Sequence, residues 1–514
     1  MNKVKPDSKC AVTALIIAAV HIIITFITDK SVFSFPDKGA QQYAAAMVDY
    51  SICKIIAFLL LAVLYYSVLS LIITKSDYAA SFKKIVINAL PYLVVLIGVL
   101  VIKLPEGFLT NDENAIYTNA ITLTHDTWFN YLTNYYYIVA LMILPFKYGP
   151  IFAKIVLEFF VTGYVVFRCR EYFGKIPGAF SYLVFILYPV IAYTTSAHRL
   201  PVYFFLYLLL FCKLLFDALE KKNLNKITYS LIIILGAMLT QWRTEGIYMA
   251  VLLPILMLFV YPSLRSKKNT VILVVVTCLV QFVVSLPQNG IGAGLSDKAN
   301  DRMKPFYAYT ITNMYRNGLD LEKNAQDLAI VDKYLSLDKI REINEYYQDI
   351  NYEDVLILYK DDFIGVREDA DVAEFIEYSE ALKRIFKNNP DVFMKTRWGA
   401  FKYAALPYKI VGPEGGLRGL VSCLISIVKS VSYNLFIPVV LVFVLLVYSL
   451  IKRRWYSFFF FGGLVCHWFI VFILAPASYF KYYFPVYIMA YFYLCILAIG
   501  FIGARKKGLK SPLI

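Results

Sequence analysis

The chain has 514 residues, 60% of them hydrophobic and only 17% charged, with a mean hydropathy of +0.62. Soluble domains carry about 25% charged and ~45–50% apolar residues, so a water-soluble globular fold is excluded. The 51 basic and 36 acidic residues leave a net +15, a surplus whose placement separates nucleic-acid binding from membrane topology.

A helix needs about 20 apolar residues to cross ~30 Å of hydrocarbon. Twelve windows are predicted, at 11–28, 52–74, 85–102, 150–167, 178–194, 200–217, 227–241, 245–261, 270–287, 433–451, 457–474 and 484–503. The pair at 227–261 is interrupted by Gln241-Trp242-Arg243-Thr244-Glu245. The first window comes after a basic start, as the core of a secretory leader does, but it is longer than a usual leader core and no small-x-small cleavage site succeeds it. It reads as an uncleaved first span.

With the N-terminus cytoplasmic, the inner segments are 1–10, 75–84, 168–177, 218–226, 262–269, 452–456 and 504–514. They hold 22 basic residues and only four acids, Asp7, Asp77, Glu171 and Glu220. Seven loops agree on one side, which is the positive-inside pattern of a multi-pass protein with both termini cytoplasmic. The net charge is therefore a topology signal, and no nucleic-acid partner is implied. The eight cysteines lie in or beside the spans or on the inner side, with none in 288–418. That placement offers no extracytoplasmic disulfide framework and no metal-binding spacing, and reads as small apolar residues in the interior.

The chain reads as four divisions. Residues 1–84 form a two-span N-terminal extension, and 85–287 a membrane core with a first outer loop at 103–149. Residues 288–432 form an outer segment, and 433–514 the last spans. Between 288 and 418 the chain carries 22 acids and 18 bases. Ala325–Ser336, Asp338–Tyr347 and Asp371–Lys387 set apolar residues at helical spacing among these charges. A small, mostly helical extracytoplasmic domain is predicted. No internal repeat supports an inverted-repeat transporter.

Polar groups collect at the outer ends of the spans. Asp112 and Glu113 come after the third span, and His198 and Arg199 lie between the fifth and sixth. Arg243 and Glu245 flank the turn between the seventh and eighth, and Lys481 precedes the last. A carboxylate such as Asp112 can take a proton from an attacking hydroxyl. With Glu113 it also offers the oxygen ligands of a divalent cation. Arg243, Arg199 and Lys481 are of the type that binds phosphate, arginine by a planar fork and lysine as a point charge. Each has a plainer explanation: Asp112-Glu113 as a helix-capping pair, Arg243–Glu245 as an ion pair closing a turn, His198 as an interfacial hydrogen-bonding residue, Lys481 as a snorkelling lysine in an aromatic belt. Shared sidedness is what groups them.

The acidic pair soon after a span, the Arg243-Thr244-Glu245 turn and the late Lys481-Tyr482-Tyr483-Phe484-Pro485 together resemble the GT-C class of integral-membrane glycosyltransferases, in particular the bacterial family related to protein mannosyltransferases and the lipid A aminoarabinose transferase. The resemblance implies an all-α polytopic fold of about twelve spans. It also implies inverting transfer of a sugar from a polyprenyl-phosphate donor to a cell-envelope glycan, lipid or protein acceptor, on the extracytoplasmic side of a bacterial cytoplasmic membrane. In that reading Asp112 is the general base with Glu113 beside it. Arg243, Lys481 and Arg199 bind the donor phosphate, Lys481 standing where the family often has Arg, and His198 and Glu245 contact substrate. The family also lays amphipathic helices on the membrane in the first outer loop, a part that Trp128–Tyr131 and Tyr135–Leu144 would play. Two features depart from the pattern: two extra spans precede the acidic pair, and 288–432 matches no acceptor-binding domain of that class. An O-antigen-type polymerase or ligase and a lipid-linked-glycan flippase or transporter are the alternatives. Mid-span ionisable residues, which a flippase would use, are few, chiefly Lys54, Lys154 and Glu158.

Overall fold

In a computed structural model of the chain the described residues are 8–40, 42–74, 76–103, 111–124, 129–196, 199–287, 303–346, 365–367, 372–412 and 416–507. Their fold is helical, and the one β-pairing among them is a bridge between Leu335 and Val366. Helices α1 (Ser8–Val32), α2 (Tyr43–Ile73) and α3 (Asp77–Lys103) are succeeded by the short α4 (Asn111–Thr122) and α5 (Tyr131–Ile143), then by α6 (Gly149–Phe173). Three short pieces come next, α7 (Lys175–Ala179), α8 (Tyr182–Phe185) and α9 (Tyr188–Thr194). They lead to α10 (Leu200–Leu219), α11 (Lys226–Trp242), α12 (Met249–Val260) and α13 (Lys267–Leu286). The charged segment forms α14 (Lys304–Arg316), α15 (Ala325–Tyr334), α16 (Leu337–Tyr346), α17 (Val372–Asn388) and α18 (Pro390–Ala405). The chain closes with α19 (Gly416–Ser432), α20 (Phe436–Ile451), α21 (Trp455–Leu474) and α22 (Phe484–Lys507).

Among the described residues, nine helical stretches are long and apolar enough to cross a membrane: α1, α2, α3, α6, α10, α13, α19 with α20, α21 and α22. The chain is a multi-pass membrane protein. Three of the twelve expected windows are not uninterrupted spans. Window 178–194 is broken between α8 and α9 with a 64° bend, where Pro189 opens α9 and removes a backbone donor. Windows 227–241 and 245–261 become α11, of 17 residues, and α12, of 12. Arg243 separates them because its backbone is extended, at φ −144° and ψ 142°.

The described chain divides into two compact units, 1–294 with 445–463 and 488–514, and 295–444 with 464–487. In the first unit, α6 meets α3 at Gly163, where a Cβ would collide with the Ile85 carbonyl. Between α1 and α2, the buried Lys54 ammonium donates to Asp29 and, at 2.8 Å, to Thr25.

Helix α5 departs from expectation. Ten of its 13 residues are buried, so it is an interior helix packed on α1, α2, α4, α6 and α11, and not one lying on a membrane surface. The reason is in its tyrosines, whose apolar rings need burial and whose hydroxyls need partners. Tyr131 donates to the Val284 carbonyl, Tyr135 to Asp49 at 2.5 Å, Tyr136 to the Pro150 carbonyl and Tyr137 to Glu113 at 2.8 Å. Trp128, given the same surface part, lies outside the described residues.

The second unit holds a core of its own among α14–α18, with Phe306, Tyr309, Tyr334, Tyr378, Leu382 and Ile385 buried. Its largest fully buried side chain is Arg397, which donates to the carbonyls of Phe472 at 2.7 Å and Ala475 at 2.9 Å. A cation at those carbonyls offsets the negative end of the α21 dipole. The cysteines divide: Cys10, Cys53, Cys169 and Cys212 are buried, whereas Cys278 and Cys466 are exposed.

Candidate functional site

Asp112 and Glu113 fall in the first turn of α4, where the exposed amides of a helix N-terminus favour negative charge. Successive residues of a helix point about 100° apart, and the two acids meet different surroundings. Asp112 is half-buried and Glu113 fully buried. Glu113 Oε1 accepts from Arg199 Nη1 at 3.0 Å and from the Arg199 backbone amide at 3.3 Å, while Oε2 accepts from Tyr137 Oη at 2.8 Å. The Arg199 guanidinium also sits 4.5 Å over the Phe129 ring. A buried carboxylate is tolerated only with such compensation, and here α4, α5 and the start of α10 each supply part of it. Burial first, and then the Glu113 carboxylate, push the Tyr137 phenol well above its ordinary range, so it remains a donor.

Tyr136 links this pair to the second cationic turn. Its ring lies 5.5 Å from that of Tyr137 and 6.0 Å from that of Trp242, the residue before Arg243. Arg243 Nε donates to Glu245, which also accepts from the Thr244 hydroxyl at 3.3 Å. Gly246 permits the turn: its amide donates to the Arg243 carbonyl at 2.9 Å, and a Cβ there would strike the Leu239 carbonyl. The first unit thus brings Glu113 together with Arg199, and α5 connects them to the Arg243–Glu245 pair.

Lys154 was legible in the sequence only as a mid-span charge. Its ammonium is buried and donates to the Tyr193 carbonyl at 3.2 Å and to the Ser196 carbonyl. It therefore holds the end of α9 just before Arg199. Glu158, one turn further along α6, is fully buried, and neither carboxyl oxygen has a hydrogen-bond partner among the described residues. Tyr137 and Tyr136 were legible only as members of an aromatic run, because nothing in that run shows which residue faces a carboxylate.

Lys481 belongs to the second unit, on the short 3-10 turn Phe480–Tyr483, with its ammonium 4.7 Å from the Tyr479 ring and 6.0 Å from the Tyr482 ring. His198 lies outside the described residues. Among the described residues no group of three or more His, Cys, Asp and Glu side chains forms a metal-binding set. No family model, no curated protein and no solved structure matches this chain. Fold and site define it as a multi-pass membrane protein with a buried acid–guanidinium centre.

Proposed function

We propose that the protein is a glycosyltransferase that moves a sugar from a polyprenyl-phosphate donor to a cell-envelope acceptor on the extracytoplasmic side of a bacterial membrane, with both termini cytoplasmic. The observation that carries this reading is the division of labour in the first turn of α4. Glu113 is fully buried, paired with Arg199 and hydrogen-bonded by Tyr137, and the adjacent Asp112 is half-buried. A carboxylate at that position suits a general base.

In the proposed step Asp112 takes the proton of an acceptor hydroxyl as its oxygen attacks the anomeric carbon. The bond from that carbon to the donor phosphate oxygen breaks, and the polyprenyl phosphate leaves with the electron pair. In-line displacement inverts the anomeric centre. Arg243, in the same unit as Asp112, stabilises the departing phosphate, the charge that grows in the transition state. Arg199 serves the site by holding Glu113, and Glu245 by orienting Arg243. A divalent cation beside Asp112 would aid departure by neutralising phosphate charge.

Glu158 favours a second reading, translocation of a lipid-linked glycan, because a buried intramembrane carboxyl is a functional candidate by default. The two separate in proteoliposomes given a polyprenyl-phosphate sugar and an envelope extract. Transfer predicts release of polyprenyl phosphate by the unaltered chain and its loss in Asp112→Asn. Movement of intact donor across the bilayer, unchanged in Asp112→Asn and lost in Glu158→Gln, would overturn the transferase reading.

A further inference from the structure

The interior of the first unit gathers five oxygens that have no hydrogen-bond partner among the described residues. They are Tyr92 Oη on α3, Oε1 and Oε2 of Glu158 and Oγ1 of Thr162 on α6, and Thr194 Oγ1 at the end of α9. All four residues are fully buried. Folded chains leave few buried polar atoms unpaired, because each one costs stability. A group of them in one place calls for a ligand.

The four side chains are neighbours in space. Helices α3, α6 and α9 pack on one another. Glu158 and Thr162 are one turn apart, on one face of α6. The Thr194 hydroxyl lies beside both the Glu158 carboxyl and the Tyr92 hydroxyl, and Tyr92 itself lies beside Glu158. Gly163 lets the helices close here, since a Cβ on it would strike the Ile85 carbonyl and the Cβ of Ala89, one turn before Tyr92. The Tyr92 ring is 5.7 Å from that of Phe185, the last residue of α8 before the bend into α9.

The chemistry of the group is uniform. It offers oxygen alone, the ligand that hard cations take, and it holds one carboxylate among neutral hydroxyls. A bare carboxylate in an apolar interior is costly. One positive charge balances it, whereas a divalent ion would leave a net charge behind. Lys154, one turn before Glu158, has other partners: its ammonium donates to the Tyr193 and Ser196 carbonyls at the end of α9 and makes no hydrogen bond to Glu158. The carbonyl end of a helix is partly negative, so that ammonium is compensated where it lies. Broken helices inside a bilayer are also where small cations are commonly held.

We propose that Tyr92, Glu158, Thr162 and Thr194 bind a single monovalent alkali cation in the interior of the first unit. The ion ties α3, α6 and α9 together. With Lys154 it fixes the end of α9, the segment that leads to Arg199. Neither Asp112 nor a sugar donor takes part, so this inference stands apart from the transferase reading.

The test is thermal unfolding of the full chain in detergent, in sodium, potassium or choline chloride at one ionic strength and one pH, with equilibrium dialysis against radioactive sodium to count bound ions. Sodium, potassium or both are expected to raise the melting temperature in a saturable way that choline does not reproduce. Glu158→Gln should abolish the shift. Thr194→Val should weaken binding about tenfold or more, the usual worth of one contact to a charged group, and Thr194→Ser, which keeps the oxygen, should restore it. The Thr194 pair decides the matter even where Glu158→Gln fails to fold. Equal melting temperatures in all three salts, with no bound ion, would overturn the proposal. So would an alkali-ion shift that survives in both Glu158→Gln and Thr194→Val, since the ion would then sit elsewhere. A melting temperature that follows pH alone, and no longer does so in Glu158→Gln, would overturn it in favour of a proton on the carboxyl.

Discussion

Arg199 and Glu113 are 86 residues apart in the chain, yet the guanidinium of one lies 3.0 Å from the carboxylate of the other, and that carboxylate is fully buried. Two adjacent acids therefore have different energetics, and substitution should separate them. Asp112→Asn is expected to lower turnover by about 10²–10⁴-fold, the usual contribution of a positioned base, with a smaller fall in melting temperature than substitution of the fully buried Glu113. Glu113→Gln leaves a guanidinium without its partner and is expected to cost ~3–5 kcal/mol of stability. Joining it to Arg199→Met should recover most of that loss. Thermal unfolding in detergent together with polyprenyl-phosphate release checks both, and equal destabilisation by the two acid substitutions would refute the division.

Alkaline pH tests the Tyr137–Glu113 bond. The Tyr137 phenol is raised when folded, whereas an unfolded tyrosine ionises near ~10. Above that pH the unfolded chain binds fewer protons than the folded one, so stability is fully present below pH ~10 and falls as pH rises beyond it. Tyr137→Phe removes one such proton, and its melting temperature should fall less steeply above pH ~10 than that of the unaltered chain. At neutral pH the same variant loses a bond to a charged group and should be less stable by ~1.5–3 kcal/mol.

Lys154 predicts an effect at a distance. Lys154→Met uncaps the Tyr193 and Ser196 carbonyls, at ~1–3 kcal/mol for each buried group left unsatisfied, and frees the segment that leads to Arg199. Melting temperature and turnover should fall together. Glu158 lies one turn further along the same helix, so a Lys154→Met/Glu158→Gln double variant more stable than the sum of its single variants would show that the two are coupled, and a purely additive one would argue against it.

Two turn-holding contacts give the remaining expectations. Gly246→Ala drives a methyl into the Leu239 carbonyl and should cost ~1–3 kcal/mol, as overpacking does, while also disturbing Arg243. Arg397→Met strips the donors from the Phe472 and Ala475 carbonyls, at a cost of ~1–3 kcal/mol per acceptor. Limited proteolysis of residues 303–412 should accelerate in the second variant and not in the first.

Much of the fold was legible in the sequence because hydropathy and charge are properties of consecutive residues. Nine stretches were apolar over a bilayer's thickness, and the charged segment carried helical spacing that appears as α15, α16 and α17, while α14 and α18 were not read from it. The acidic pair, the Arg243–Glu245 turn and the mid-span Lys154 could likewise be singled out by residue type. Where the apolar runs went was not legible, because lipid and protein interior are both apolar solvents and a hydropathy window cannot tell them apart. The run in α5 looked suited to a membrane surface and instead became an interior helix, since only the folded chain supplies Asp49, Glu113 and the Pro150 and Val284 carbonyls to its tyrosines. Local sequence determined that this is a helical, multi-pass membrane protein with acids and cations at its loops. Tertiary structure alone decided that Glu113 is the fully buried acid, held by Arg199 and Tyr137, and Asp112 the half-buried one, because those partners arrive from helices that are neighbours only in space.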